Sequence, residues 1–302
     1  MGAAAMKTFI RVVEVWVPDA DHTLLEFGSG WHGDTKGFGA ASREMCFGRG
    51  EGLSGQAWEL RQPILLKQLE GSVFRRGRAA AADGLTSALA LPVFVAERLH
   101  AVVLMLCGDD DANVGAIDLW RNAAGSPDMV LADGYYGSTA EVFEFLSRNT
   151  RFRPGTGLPD LAWAACAPVS MPDLGKRSKF LRADSAQQVG INRGFAMPCS
   201  VPGHDVYVLA FLSALATPLV RRLEVWRPDA QGRGLQRSEG FARAWARWLP
   251  LKALKALMTV PSLPCHSAKA PWARPGPPPC RWWRSLLPRS PGPWALLPAV
   301  PG

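Results

Sequence analysis

Val13-Glu14-Val15-Trp16 returns 104 positions on as Ile117-Asp118-Leu119-Trp120, and 106 positions later as Leu223-Glu224-Val225-Trp226. Each is a strand-like phrase with an acidic residue between apolar ones and a Trp at the end. Between the first two the register holds for a whole segment. Gly30-Trp31-His32-Gly33 matches Gly134-Tyr135-Tyr136-Gly137, Gly52-Leu53 matches Gly157-Leu158, Trp58 matches Trp163, and Pro63 matches Pro168. Phe74 and Arg76 match Phe180 and Arg182, and Gly84 and Pro92 match Gly190 and Pro198. A period near 105 residues is far longer than a solenoid repeat, so each copy is expected to be a domain with its own core. The expected organisation is one domain over 1–110, a second over 113–220, the truncated start of a third over 221–242, and a different tail over 243–302.

Within the first copy, Phe9–Val17 and Leu24–Trp31 read as strands joined by the polar turn Pro18-Asp19-Ala20-Asp21. Gly48–Gly55 is a glycine-rich turn into a short helix, Gln56–Leu60, which Pro63 separates from a strand at Ile64–Leu69. Ser72–Ala82 reads as a helix, and Leu85–Val95 with Leu99–Cys107 as two apolar strands. The order β-β-α-β-α-β-β defines an α+β fold, an antiparallel sheet with short helices on one face.

These residues carry a resemblance. The opening hairpin, Gly50 to Trp58 as G-x-G-L-x-G-x-A-W, the Phe74-x-Arg76 helix, and Gly84-Leu85-x-Ser87-Ala88-x-x-Leu91-Pro92 before the last strand resemble the GAF domain. The resemblance covers about residues 9–107 and, more loosely, 113–216. It implies two GAF-like domains acting as a cytoplasmic small-molecule sensing or dimerising module of a bacterial-type signalling protein, with a ligand pocket between sheet and helices. One departure from that pattern is informative. Only Gly108 to Asn113 separates the last strand of copy one from the first of copy two, leaving no room for the long helices that commonly flank GAF sheets. Yet Val102–Leu106 and Val206–Phe211 are apolar on both parities, as strands buried on both faces are. The free face is therefore expected to pack on the neighbouring copy or on a second chain.

Composition fits a folded chain, 48% hydrophobic and 20% charged, too apolar for wholesale disorder. The net charge of +8 is concentrated: no acidic residue follows Glu239, and up to that point 25 basic groups face 26 acidic ones. The body is neutral, which argues against nucleic acid as its partner. No secretory signal is readable at the start, and the longest apolar stretch is broken by Ser213, Thr217 and Pro218, so a cytoplasmic location without a transmembrane segment is expected. Residues 250–302 contain thirteen Pro, and 245–302 six of the twelve Trp. That mixture reads as a disordered or off-frame tail in preference to a basic-aromatic tail for single-stranded nucleic acid or an anionic surface.

Chemistry is sparse. Gly50-Glu51-Gly52-Leu53-Ser54-Gly55 fits G-x-G-x-x-G, but no parallel strand precedes it, so a structural turn is the preferred reading over a phosphate cradle. Asp83-Gly84 reads as a helix stop. His22, His32, His100 and His204 have no metal spacing and are read as solvated or half-buried. The six Cys are too dispersed for a cage or a disulfide framework and read as free thiols. A thiol redox enzyme, of the GAF-type methionine sulfoxide reductase kind, is the alternative function and would need a pair such as Cys46 and Cys107. No catalytic residue, metal site or cofactor is assigned. The ligand-binding candidates are Trp31, Trp58, Phe74, Arg76, Tyr135, Trp163, Phe180 and Arg182. Against this, the aromatics read as core residues and the two arginines as solvated helix charges.

Overall fold

The computed structural model describes residues 8–108, 114–122, 126–137, 141–153, 155–175, 180–200, 205–229 and 234–242. The expectations placed on 243–302, on most of the linker after Gly108 and on His204 lie outside these residues.

The first unit runs β1 (Ile10–Pro18), β2 (Leu24–Trp31), α1 (Lys36–Arg43), β3 (Cys46–Gly48), α2 (Gly52–Leu60), β4 (Ile64–Leu66), α3 (Gly77–Ala82), β5 (Leu85–Val95) and β6 (Arg98–Gly108). The second runs β7 (Gly115–Asn122), β8 (Met129–Tyr135), α4 (Glu141–Asn149), β9 (Arg151–Phe152), α5 (Leu158–Ala165), β10 (Val169–Met171), α6 (Ala183–Gln188), β11 (Arg193–Ser200) and β12 (Val206–Ser213). A last hairpin joins β13 (Arg222–Pro228) and β14 (Leu235–Ala242). The fold is α+β: two curled antiparallel six-stranded sheets with a few short helices.

The sheets are ordered β3-β2-β1-β6-β5-β4 and β9-β8-β7-β12-β11-β10, one connectivity used twice. The three hairpins even bulge at the same place, between Val15 and Trp16, Leu119 and Trp120, and Val225 and Trp226. In the first of them Asp19 closes the polar turn, its Oδ1 accepting the Thr23 and Leu24 amides at 2.8 and 3.2 Å.

Two elements per unit were not anticipated: α1 with β3, and their counterparts α4 with β9. The sequence Lys36-Gly37-Phe38-Gly39-Ala40-Ala41-Ser42-Arg43 has two glycines and weak helix propensity. Tertiary anchoring overrides this: Phe38 and Ser42, one turn apart, are buried, and Asp83 Oδ2 accepts the Phe38 amide at 2.9 Å. Conversely, the helix expected over 72–82 forms only from Gly77, because Phe74 and Arg76 dive into the core before it starts.

Helices cover one face of each sheet, and the opposite faces meet each other. One continuous core contains Ile10, Leu89, Leu91, Val103 and Cys107 from the first sheet, and Ile117, Leu119, Leu209 and Phe211 from the second. The doubly apolar last strands thus find their cover in the neighbouring unit. At about 1.5–3 kcal/mol for each fully buried large side chain, this interface is a major part of the folding energy. Polar contacts rim it: Thr86 Oγ1 and the Tyr135 hydroxyl at 3.1 Å, the Tyr207 hydroxyl donating to Gln62 Oε1 at 2.9 Å, and Lys67 Nζ to Asp133 at 2.7 Å. The segment after β12 ties back to the start of the chain, where the Phe9 and Ile10 amides donate to Pro218 and Leu219 carbonyls.

Candidate functional site

The acidic residue of the repeated phrase and the arginine of Phe-x-Arg meet inside the first unit. Glu14 is fully buried, and Arg76 Nη1 donates to both its oxygens at 2.9 Å. Trp16 Nε1 donates to Glu14 Oε2 and His32 Nε2 to Glu14 Oε1, each at 3.0 Å, while Arg76 also reaches Ser42 Oγ. Burial alone would raise the Glu14 carboxyl; the His32 bond, the Arg76 charge and the Ser42 and Arg76 bonds outweigh it and hold it below its ordinary range. The Arg76 guanidinium lies within 4.5–5.9 Å of the Trp16, Phe38, Phe47 and Phe74 rings, an aromatic cage around a cation.

The second unit repeats the arrangement. Arg182 Nη2 donates to Asp118 Oδ2 at 2.7 Å and Nη1 to Ser147 Oγ, among the rings of Trp120, Phe143, Phe152 and Phe180. Asp118 is one methylene shorter than Glu14, and here the buried Trp120 Nε1 has no acceptor. Tyr136 takes the place of His32; burial, then the Asp118 charge, push its phenol well above the usual value. The region between sheet and helices, where the resemblance puts a ligand, is thus occupied in both units by the chain's own guanidinium.

Arg76 and Arg182 are 5% and 4% exposed, which corrects their reading as solvated helix charges: each precedes its helix and turns inward. His32 is likewise buried against Glu14 and not solvated. Phe74 and Phe180 line the cages, and Trp58 and Trp163 pack on the same cores from α2 and α5. Trp31 and Tyr135 are elsewhere. They pair across from Val13 and Ile117, whose side chains join the core between the sheets, so they lie on the face away from the helices. The eight candidates therefore do not form one mouth. What the sequence reading missed was Glu14, Asp118, Ser42 and Ser147. The signal was present: an acid in each copy of an otherwise apolar phrase, with an Arg 62 and 64 residues later.

Above the first cage lies an open cleft of about 670 Å³ between α1 and the segment leading to α3. Ala41 and Met45 form one wall, Phe74 and Arg76 line it from the core, and Glu70, Arg75 and Arg78 bring charge to it. Gly71, Gly77 and Ala79 leave the space.

The glycine motif is structural. Gly50 and Gly52 have φ of +81° and +58°, β3 before them pairs antiparallel with β2, and a Cβ on Gly55 would stand 2.1 Å from the Gly48 carbonyl oxygen. Asp160 takes the place of Gly55 in the second unit and accepts the Gly155 amide; burial pushes its carboxyl up to about 6. Asp83 and Gly84 end α3 as expected, with Gly84 at φ +66°. Cys46 is exposed on β3, and Cys107 is buried on β6 between the sheets. Three strand spacings, roughly 14 Å, separate their strands, so they do not form the attacking and resolving pair a thiol enzyme needs. Among the described residues no group of three or more His, Cys, Asp or Glu is placed to hold a metal, and no helix is long and apolar enough to cross a membrane.

A GAF domain model matches residues 3–125, which includes the whole first unit and enters the second. No curated protein matches. Among solved structures, the chain is similar to the nlh2 GAF domain of A. aeolicus in an inactive state, at 14% identity and TM-score 0.27, over 33% of this chain and 58% of that one. It is also similar to the free methionine-R-sulfoxide reductase of Neisseria meningitidis in complex with its substrate, at 20% identity and TM-score 0.26, over 33% and 53%. A third is the NreA protein of Staphylococcus aureus mutated in its nitrate binding site, at 11% identity and TM-score 0.28, over 33% and 74%. The chain spans a little over half the length of the first two.

Proposed function

We propose that the chain is a regulatory module of a signalling system, built of two GAF-like repeats and the start of a third, with no catalytic output of its own and a cytoplasmic location. The GAF match over residues 3–125 supports the sensing class, and the shared strand order and shared bulges support the repeat. In this reading the domains fall at 1–110 and 113–220, with 221–242 as the third start. The observation that carries the site is the 670 Å³ cleft set directly over the caged Arg76. A small molecule there rests on Phe74 and Arg76. It fixes the Glu70–Ala79 segment, and through Arg76 the Glu14 pair on β1, which belongs to the sheet packed on the second unit. Of the eight candidates, Phe74 and Arg76 are the two retained as ligand contacts.

The test is native mass spectrometry of the full chain purified from a bacterial host, with Ala41→Trp as the comparison. Ala41 lies on the cleft side of α1, and Trp there takes up the space a small molecule would fill while leaving Arg76, Glu14 and Ser42 in the sequence. A small molecule retained by the parent and lost from the variant is the expected result. Equal retention by both, or none by either, contradicts the reading.

A further inference from the structure

The two units share their interiors but have diverged on the surface over the cage. On α1 the positions facing outward are small, Ala40 and Ala41; on α4 their counterparts are Phe145 and Leu146. Arg75 and Arg78 at the cleft correspond to Leu181 and Asp184. Where the first unit has a recess edged with arginine, the second has an apolar projection: Val142, Phe145, Leu146 and Leu181 are 61%, 65%, 39% and 57% exposed. Val142, Phe145 and Leu146 form an i, i+3, i+4 stripe on α4, and the edges of the patch carry Glu141, Glu144 and Asp184. Four large apolar side chains in one place on a folded surface mark a contact site.

We infer that the α4 face of the second unit docks into the first-unit cleft of a second copy of this chain. This rests on the cleft being the functional site and names a partner for it. Shape matches, since the residues that are small in one unit are large in the other. Charge is complementary at Arg75 and Arg78 against Glu141, Glu144 and Asp184, although Glu70 also lines the cleft, Arg75 already pairs with Glu51 and Glu144 with Arg148. The contact cannot form within one chain, because the sheets meet through their other faces and the helical faces point apart. It is therefore head-to-tail, and it propagates through successive copies unless a ring closes. A small molecule in the cleft competes with this docking, which converts ligand binding into a change of assembly.

The test is sedimentation velocity of the full chain with two surface variants, Phe145→Asp and the double variant Arg75→Glu/Arg78→Glu, at low salt. The parent is expected to assemble beyond a dimer as concentration rises and to dissociate with added salt. Each variant alone is expected to lose at least about tenfold in self-affinity. Mixed in equal amounts they should form a dimer and stop there, because one retains an intact cleft and the other an intact patch. A parent that stays monomeric, variants that assemble like the parent, or a mixture that stays monomeric each overturn the inference. Phe145→Asp leaves the cleft untouched and undocked: retention of a small molecule by a monomeric parent sinks the docking alone, whereas head-to-tail assembly of the parent with no molecule retained by Phe145→Asp sinks the sensing alone.

Discussion

Arg76→Ala is expected to destabilise the chain by about 3–5 kcal/mol, the cost of leaving a buried carboxylate without its partner. The side chain is 3% exposed, and its Nη1 holds both Glu14 oxygens and Ser42. Replacing both partners with apolar residues, as in Glu14→Leu/Arg76→Met, should cost far less, because neither charge is then stranded. The truncated variant keeps a carboxylate, a hydroxyl and four aromatic faces around an empty guanidinium-sized space. Methylguanidinium at tens of millimolar should therefore raise its melting temperature while leaving the parent unchanged, as any ligand specific for the folded state does. A pH series adds a sign. The Glu14 carboxyl is held below its usual 4.5, so its stabilisation is complete above that value and is lost as pH falls through the folded value. This acid-side loss should be absent from Glu14→Leu/Arg76→Met. No rescue by methylguanidinium, or rescue of parent and variant alike, contradicts the caged pair.

Leu209→Asp is expected to unfold both units together. Leu209 is fully buried on β12, paired with Leu119 and Met197, in the core between the sheets. A carboxylate there either loses its hydration or takes a proton at great cost, and the buried arginines among the described residues, Arg76 and Arg182, sit in the cages on the other faces of the sheets. A loss above about 4 kcal/mol, seen as one early thermal transition by near-ultraviolet circular dichroism, is the expected outcome. Leu235→Asp on β14, where Leu235 is 48% exposed, should change stability by less than about 0.5 kcal/mol. If half of the signal melts early in Leu209→Asp and the other half melts as in the parent, the units do not share a core.

Much of the architecture was legible because similar phrases mark corresponding strands of two sheets with one strand order. The recurring Glu-x-Trp and Asp-x-Trp phrases marked β1 and β7, and the doubly apolar β6 and β12 announced a second buried face. The site was only half legible. Phe74 and Arg76 stood out as a matched pair with Phe180 and Arg182, but a single arginine on a short segment gives no sign of pointing inward. That sign lies in Glu14 and Asp118, whose partners come from more than 60 residues away. Ser42 was invisible because α1, with its two glycines, does not read as a helix and owes its formation to the core beneath it. Trp31 and Tyr135 fall on the face away from the cage through β geometry: the next residue along, His32 or Tyr136, is the one that reaches the cage, and adjacent residues of an extended chain point to opposite faces.

Native-state hydrogen exchange on the full chain, read peptide by peptide, bears most directly on the back-to-back arrangement. The amides of β5 and β6 and those of β11 and β12 should be the slowest in the molecule, and should open with the same free energy, through one global event. Strong protection of one sheet beside fast exchange of the other, or two unrelated opening energies, would show that the sheets do not fold as one body.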